Sequence, residues 1–196
     1  MALDLKAIAS QIPKILPGTG FFGDPASAEV YKQLIANYLA TNPELAKVKV
    51  VLAPGATTGA FSPASNTVIM GVNNPAVLAH ELGHATSVKP GTLYDKILQA
   101  SRKANYINKW ISAPLAIGAK VFMSPDTARQ VLNYASLASA MLAAPTLSEE
   151  MGASIEAIKK SPEKLRSLRT LIPAYATHVL AQTTPFAVYQ IGRALL

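Results

Sequence analysis

The sequence predicts an α+β fold that is mostly helical: a small antiparallel sheet or hairpin packed on one well-capped helix, followed by apolar helices. Three observations carry this expectation. Val48-Lys49-Val50-Val51-Leu52 is the one convincing β-branched run, and Ala53-Pro54-Gly55 bounds it as turn residues do. Asn74-Pro75 supplies an N-cap and a first-turn proline, and Lys89-Pro90-Gly91 supplies a stop, so a helix is expected over 75–88. From Tyr94 onward only helical patterns are found.

In chain order, residues 3–12 are expected to form a short helix ended by Pro13 and Pro17, and Gly18-Thr19-Gly20 with Gly23 to form a loop. Asp24-Pro25 then opens a helix whose apolar stripe is Val30, Leu34, Ile35 and Leu39, widened by Tyr31 and Tyr38; it ends near Thr41-Asn42-Pro43. After the strand at 48–52, Ala60-Phe61 and Thr67-Val68-Ile69-Met70 form the arms of a hairpin around Ser62-Pro63-Ala64-Ser65-Asn66. Asn66–Gly71 is the candidate for an edge strand that holds an extended peptide by backbone hydrogen bonds. Helices are then expected near 92–105, 110–123, 125–143, 147–160, from Ser161-Pro162, 174–182 and 185–195. No domain boundary is visible, so residues 1–196 are read as one domain: small sheet at 45–72, motif helix at 75–88, apolar helical insert at 110–147, and a further helix at 148–160.

The helix at 75–88 carries His80-Glu81-Leu82-Gly83-His84. Positions i and i+4 lie on one helix face, so both imidazoles can meet a single ion. Glu81 lies roughly 100° round the helix from His80, beside such an ion without ligating it. This is the zinc-hydrolase helix pattern, in which Glu81 is the general base. Two structural histidines on an amphipathic helix is the competing reading; the caps at both ends favour the metal, here Zn²⁺.

Composition narrows the chemistry. The chain has no cysteine, so any zinc is held by nitrogen and oxygen, which points to a catalytic rather than a Cys-based structural site. A third histidine six residues after His84 is excluded because Pro90 stands there. The third ligand is therefore sought in Ser148-Glu149-Glu150-Met151-Gly152-Ala153-Ser154-Ile155-Glu156-Ala157. Thr146-Leu147-Ser148-Glu149 has the spacing of a capping box, which would occupy Glu149 at the helix start and leave Glu150 for the metal. Glu149 is the alternative ligand, and surface acids favoured by the helix dipole are the third possibility. Ala153 and Ala157 are small enough to let the two helices approach. Ser154, one turn after Glu150, is placed to hydrogen-bond the outer nitrogen of a ligating histidine.

These residues resemble the gluzincin metallopeptidases: His-Glu-Leu-Gly-His, a long apolar helical insert, then Glu-x-x-Ala-Ser. The chain is most similar to the group of the bacterial membrane-bound heat-shock peptidase and the prenyl-protein endopeptidases, and within it to the small neutral zinc metallopeptidase branch. The resemblance covers 66–88 and 148–157, and more weakly 171–181; the first 45 residues match nothing in it. It implies a zincin-like zinc endopeptidase, often membrane-associated, with His80, His84 and Glu150 as ligands and Glu81 as base. Ser154 stands where most of the group carries Asp. Zinc so held would lower the pKa of a bound water toward ~7 and polarise a scissile carbonyl, while Glu81 takes the proton and returns it to the leaving amine. Tyr175 and His178, on one late apolar helix, are the candidates for a further donor to the reacting oxygen. A core tyrosine and a satisfied core histidine is the other reading.

The net charge is +7, concentrated at 89–109 and 159–169. No nucleic-acid motif accompanies these clusters, so no nucleic-acid partner is expected; solvated helix faces or contacts with anionic lipid explain them. Residues 130–148 and 171–192 contain no Asp, Glu, Lys or Arg, but prolines and polar residues interrupt both, so they are read as buried or peripherally inserted helices. The first twenty residues make a poor signal peptide. A peptide or protein substrate at a membrane surface is the expected setting. Two readings of other classes are a structural component of a larger assembly such as a virion, with a retained or vestigial site, and a basic, apolar membrane-binding module.

Overall fold

The computed structural model describes residues 2–16, 26–56 and 58–196; the expected loop at 18–23 and the helix opening at Asp24-Pro25 lie outside them. The chain folds as two compact units, 1–92 with 149–175 and 93–148 with 176–196, where the sequence shows no boundary. The chain changes unit three times: once after Lys89-Pro90-Gly91-Thr92, and twice inside continuous helices, where no Gly- or Pro-rich linker marks the change.

The first unit holds the sheet. Strands β1 (Ala2–Asp4), β2 (Lys49–Leu52), β3 (Gly59–Ser62) and β4 (Thr67–Met70) lie in the order β1-β2-β4-β3. The β3/β4 hairpin is antiparallel as expected, its turn closed by a Pro63 carbonyl accepting from the Asn66 N–H, with Asn66 in the left-handed region at φ 49°. The sheet as a whole is mixed, because the hairpin folds β4 inward against β2 in parallel register. Residues 3–12 depart from the expected single helix. The start of the chain pairs with β2 as β1, and Leu5–Ile8 (α1) and Ile12–Ile15 (α2) follow as short turns that bury Leu5, Ile8 and Ile12.

Helix α3 (Ala28–Leu39) and the motif helix α4 (Pro75–Ser87) share the core with the sheet. Asn74 caps α4 as its sequence predicts, accepting from the Ala76 N–H, and its own amide reaches Thr170. Two buried tyrosines of α3 anchor α4: Tyr38 donates to the Ala79 carbonyl at 2.6 Å, and Tyr31 donates to Asn73 at 2.8 Å. Burial pushes both phenols above their ordinary pKa, so each stays a donor.

The remaining helices are longer than expected: α5 (Leu93–Phe122), α6 (Pro125–Lys160) and α7 (Lys164–Ala194). Pro114, Pro145, Pro173 and Pro185 lie inside them rather than ending them. A helix absorbs an internal proline where packing offsets the lost bond. The continuity of α6 also removes the expected capping box, since no helix begins at Thr146. Its hydroxyl is buried without a hydrogen-bond partner.

Within the second unit, segments of α5, α6 and α7 meet through small and polar residues. Ala116, Ala119, Ala128, Leu132 and Tyr189 cluster together. Asn108 donates to Ser139 at 2.7 Å and accepts from Tyr189 at 2.8 Å, and Gln190 donates to Ser136 at 2.6 Å.

Candidate metal centre

The histidines of α4 converge as their spacing requires. His80 Nε2 and His84 Nε2 are 3.0 Å apart, and Glu150 Oε2 of α6 lies 3.2 Å from the first and 3.5 Å from the second. Among the described residues these three form the group able to hold a metal ion. A tetrahedral zinc with nitrogen and oxygen ligands at ~2.0–2.1 Å separates neighbouring ligand atoms by roughly 3.3 Å. The three observed separations bracket that edge, so the donor set fits zinc in both chemistry and spacing. Glu150, and not Glu149, is the acid that lies in this group.

The reason for the assignment is different from the capping argument. Glu149 is buried, 2 % exposed, and its carboxylate hydrogen-bonds His84 Nδ1. On the other imidazole, Ser154 Oγ lies 3.2 Å from His80 Nδ1, as expected. Each histidine therefore has its outer nitrogen engaged, which sets the tautomer that presents Nε2 inward. Consecutive glutamates divide the work because neighbouring helical side chains point about 100° apart. The signal for Glu149 was present in the sequence: two ligating histidines need two outer partners, and only Ser154 had been named.

The close approach of α4 and α6 depends on Gly83. A Cβ built there would sit 2.7 Å from the Ala153 carbonyl oxygen and 2.9 Å from its Cα. Ala153 is buried at this contact, and Ala157, one turn on, is buried in the core.

Glu81 is buried on α4 and lies against the edge of the sheet, where a Cβ on Gly59 would meet its Cγ at 2.9 Å and its Oε1 at 3.1 Å. Burial raises its carboxyl pKa above the ordinary range, against the favourable charges of His84 and His80. Burial alone would depress the His84 imidazole, but hydrogen bonds to Glu149 and Glu150 outweigh it and push its pKa up to about 10. In the metal-free chain the two carboxylates thus favour the proton on His84 that a metal ion would displace.

Two expectations change. The strand expected at 66–71 is not an edge: β4 pairs with β2 on one side and β3 on the other, so its backbone groups are already used. The sheet edge beside α4 is β3. Tyr175 and His178 are both partly buried on α7, but the division between the two units falls between them, Tyr175 closing the first and His178 entering the second.

No protein-family model, curated protein or solved structure matches this chain. The functional reading therefore rests on the geometry of the site and on the motif.

Proposed function

We propose that the chain is a zinc-dependent endopeptidase of the gluzincin type, with His80, His84 and Glu150 holding the ion and Glu81 as general base. The observation that carries the reading is the triangle of two imidazole nitrogens and one carboxylate oxygen, each imidazole backed by a partner on its outer nitrogen. Zinc in that triangle supplies a Lewis acid and lowers the pKa of a bound water toward ~7. The chain's own residues do the rest. Glu81, one residue from His80 and with its carboxyl pKa raised by burial, accepts a proton from the attacking water and delivers it to the leaving amine. Glu149 and Ser154 fix the two imidazole rings. The exposed edge of β3, rather than β4, aligns an extended peptide beside Glu81 through backbone hydrogen bonds. Tyr175, in the same unit as the three ligands, remains a candidate for the donor that steadies the developing oxyanion.

The test is cleavage of a peptide library by the zinc-loaded chain and by Glu81→Gln. The reading expects products from the parent chain and loss of at least a hundredfold in rate in the variant, with zinc retained. Cleavage that survives the substitution assigns the activity elsewhere. A chain that holds zinc through these residues but cleaves nothing is a structural metal protein.

A further inference from the structure

Two periodicities run side by side past Glu81. On β3, Gly59 and Phe61 share one face, because alternate strand residues point the same way. On α4, Glu81, Ala85 and Val88 share one face at the i, i+4 and i+7 spacing. Gly59 stands over Glu81. With no side chain at 59, a Val77 methyl carbon and the Glu81 carboxylate come within 2.6 and 3.1 Å of the place a Cβ would take. One step further along both elements, Phe61 and Ala85 line a common cavity. The steps match, since two strand residues advance about 6.6 Å and four helical residues about 6 Å. The cavity therefore lies one step from Glu81, toward the C-terminal end of α4.

The cavity measures about 450 Å³, and its apolar lining includes Leu45, Val48, Phe61, Ala85 and Val88. All of them belong to the first unit. Leu45, Val48 and Val88 are buried, while Phe61 and Ala85 are partly exposed. The charged residues that reach it, Glu44, Lys47 and Lys89, are exposed, so no buried charge is held there for a polar ligand. What it offers an occupant is apolar surface, in a volume within the range of small-ligand pockets. That is room for a phenylalanine or leucine side chain.

Among the described residues β3 is an outer strand of the sheet. A peptide paired with its outer edge brings every second side chain to the face toward α4, with Cβ atoms about 4.5–5.5 Å from those of the β3 residues directly opposite. The residue opposite Gly59 lies over Glu81. The residue opposite Phe61, two positions away, is the one carried to the cavity. We infer that the cavity is a specificity subsite for one large apolar side chain of the substrate, two residues from the one that faces Glu81. Phe61, Ala85 and Val88 are its specificity-determining residues. The subsite rests on the peptidase reading and adds to it the class of sequence that is cleaved.

The zinc-loaded full chain is given a peptide library, and then a matched pair of peptides with Phe or Ala at the enriched position. Large apolar residues are expected to be enriched at one position, about two or three residues from the cleaved bond. There kcat/KM is expected to be about thirtyfold higher for Phe than for Ala, mostly through KM, because the cavity lies away from the reacting atoms. Fluorescence anisotropy of the same pair on Glu81→Gln, which binds without cleaving, is expected to show the same preference as an affinity ratio. Ala85→Leu fills the cavity and should bring both ratios below about threefold. Phe61→Ala removes part of its wall and should lower them too. Each is a ratio within one preparation, so a loss of folded or zinc-loaded chain does not alter it. Cleavage without preference at any such position overturns the subsite and leaves the peptidase reading standing. So do ratios unchanged in both variants, or in the one that folds. A chain that cleaves nothing removes the peptidase reading and the subsite with it.

Discussion

Replacing Glu149 removes a side chain that touches no ion yet holds His84 in place. Glu149 is almost wholly buried, and its carboxylate accepts from His84 Nδ1. Loss of such a partner of a metal-ligating histidine costs ten- to a hundredfold in metal affinity, or about 1.4–2.7 kcal/mol. The two ends of that range belong to two variants. Glu149→Gln keeps the shape and an accepting oxygen but removes the charge, so zinc affinity is expected to fall about tenfold. Glu149→Ala leaves the His84 N–H buried and unpartnered, which adds the desolvation of that donor and brings the loss to about a hundredfold. Competition against a chromophoric zinc chelator at fixed pH measures both, with circular dichroism to check that α4 and α6 are intact. Glu150→Gln, which alters a ligand, is expected to lose more than either. Zinc affinity unchanged in both Glu149 variants, or lost more in Glu149→Gln than in Glu150→Gln, would refute the division of roles between the two acids.

Three further outcomes follow from the same geometry. Gly83→Ala places a methyl 2.7 Å from the Ala153 carbonyl oxygen, so α4 and α6 must move apart; urea unfolding is expected to show a loss of about 1–3 kcal/mol, with weakened zinc binding. Asn74→Ala removes the α4 cap and is expected to cost about 1 kcal/mol by the same measurement. The third concerns pH. The folded pKa of His84 is raised to about 10, so its contribution to the metal-free fold is complete below the ordinary histidine value near 6.5 and is lost as pH rises through about 10. Glu81, also raised, acts in the same direction from a lower pH. The metal-free chain should therefore melt at lower temperature as pH rises from about 6.5 to 10. Zinc takes the place of the proton, so calorimetry in buffers of different ionisation enthalpy should show about one proton released per zinc near neutral pH, and the zinc-loaded chain should lose less stability over that window.

Much of the first unit was legible because its signals are local. The Asn74-Pro75 cap, the hairpin around Pro63 and Asn66, and the i, i+4 histidines each depend on neighbours a few residues away. Few acids remained once Pro90 excluded a histidine, which narrowed the search to Glu149 and Glu150, but the choice between them rested on a capping box that the continuous α6 does not contain. What escaped were properties set by distant pairing. The position of β4 inside the sheet depends on β2 in parallel register, and β1 forms because β2 offers an edge. The prolines of α6 and α7 read as breaks because the local cost is real, and only packing shows that it is met. The same misreading created a helix start at Thr146 and so assigned Glu149 to a cap. The second unit was hidden by the continuity of α6 and α7.

The central claim is that His80, His84 and Glu150 together hold zinc. X-ray absorption at the zinc edge of the loaded chain tests it most directly. The account predicts one zinc per chain, nitrogen and oxygen ligands at about 2.0–2.1 Å with the scattering signature of two imidazoles, and loss of stoichiometric binding in His84→Ala and Glu150→Ala. A spectrum without two imidazoles, or one that is unchanged in those variants, would contradict it.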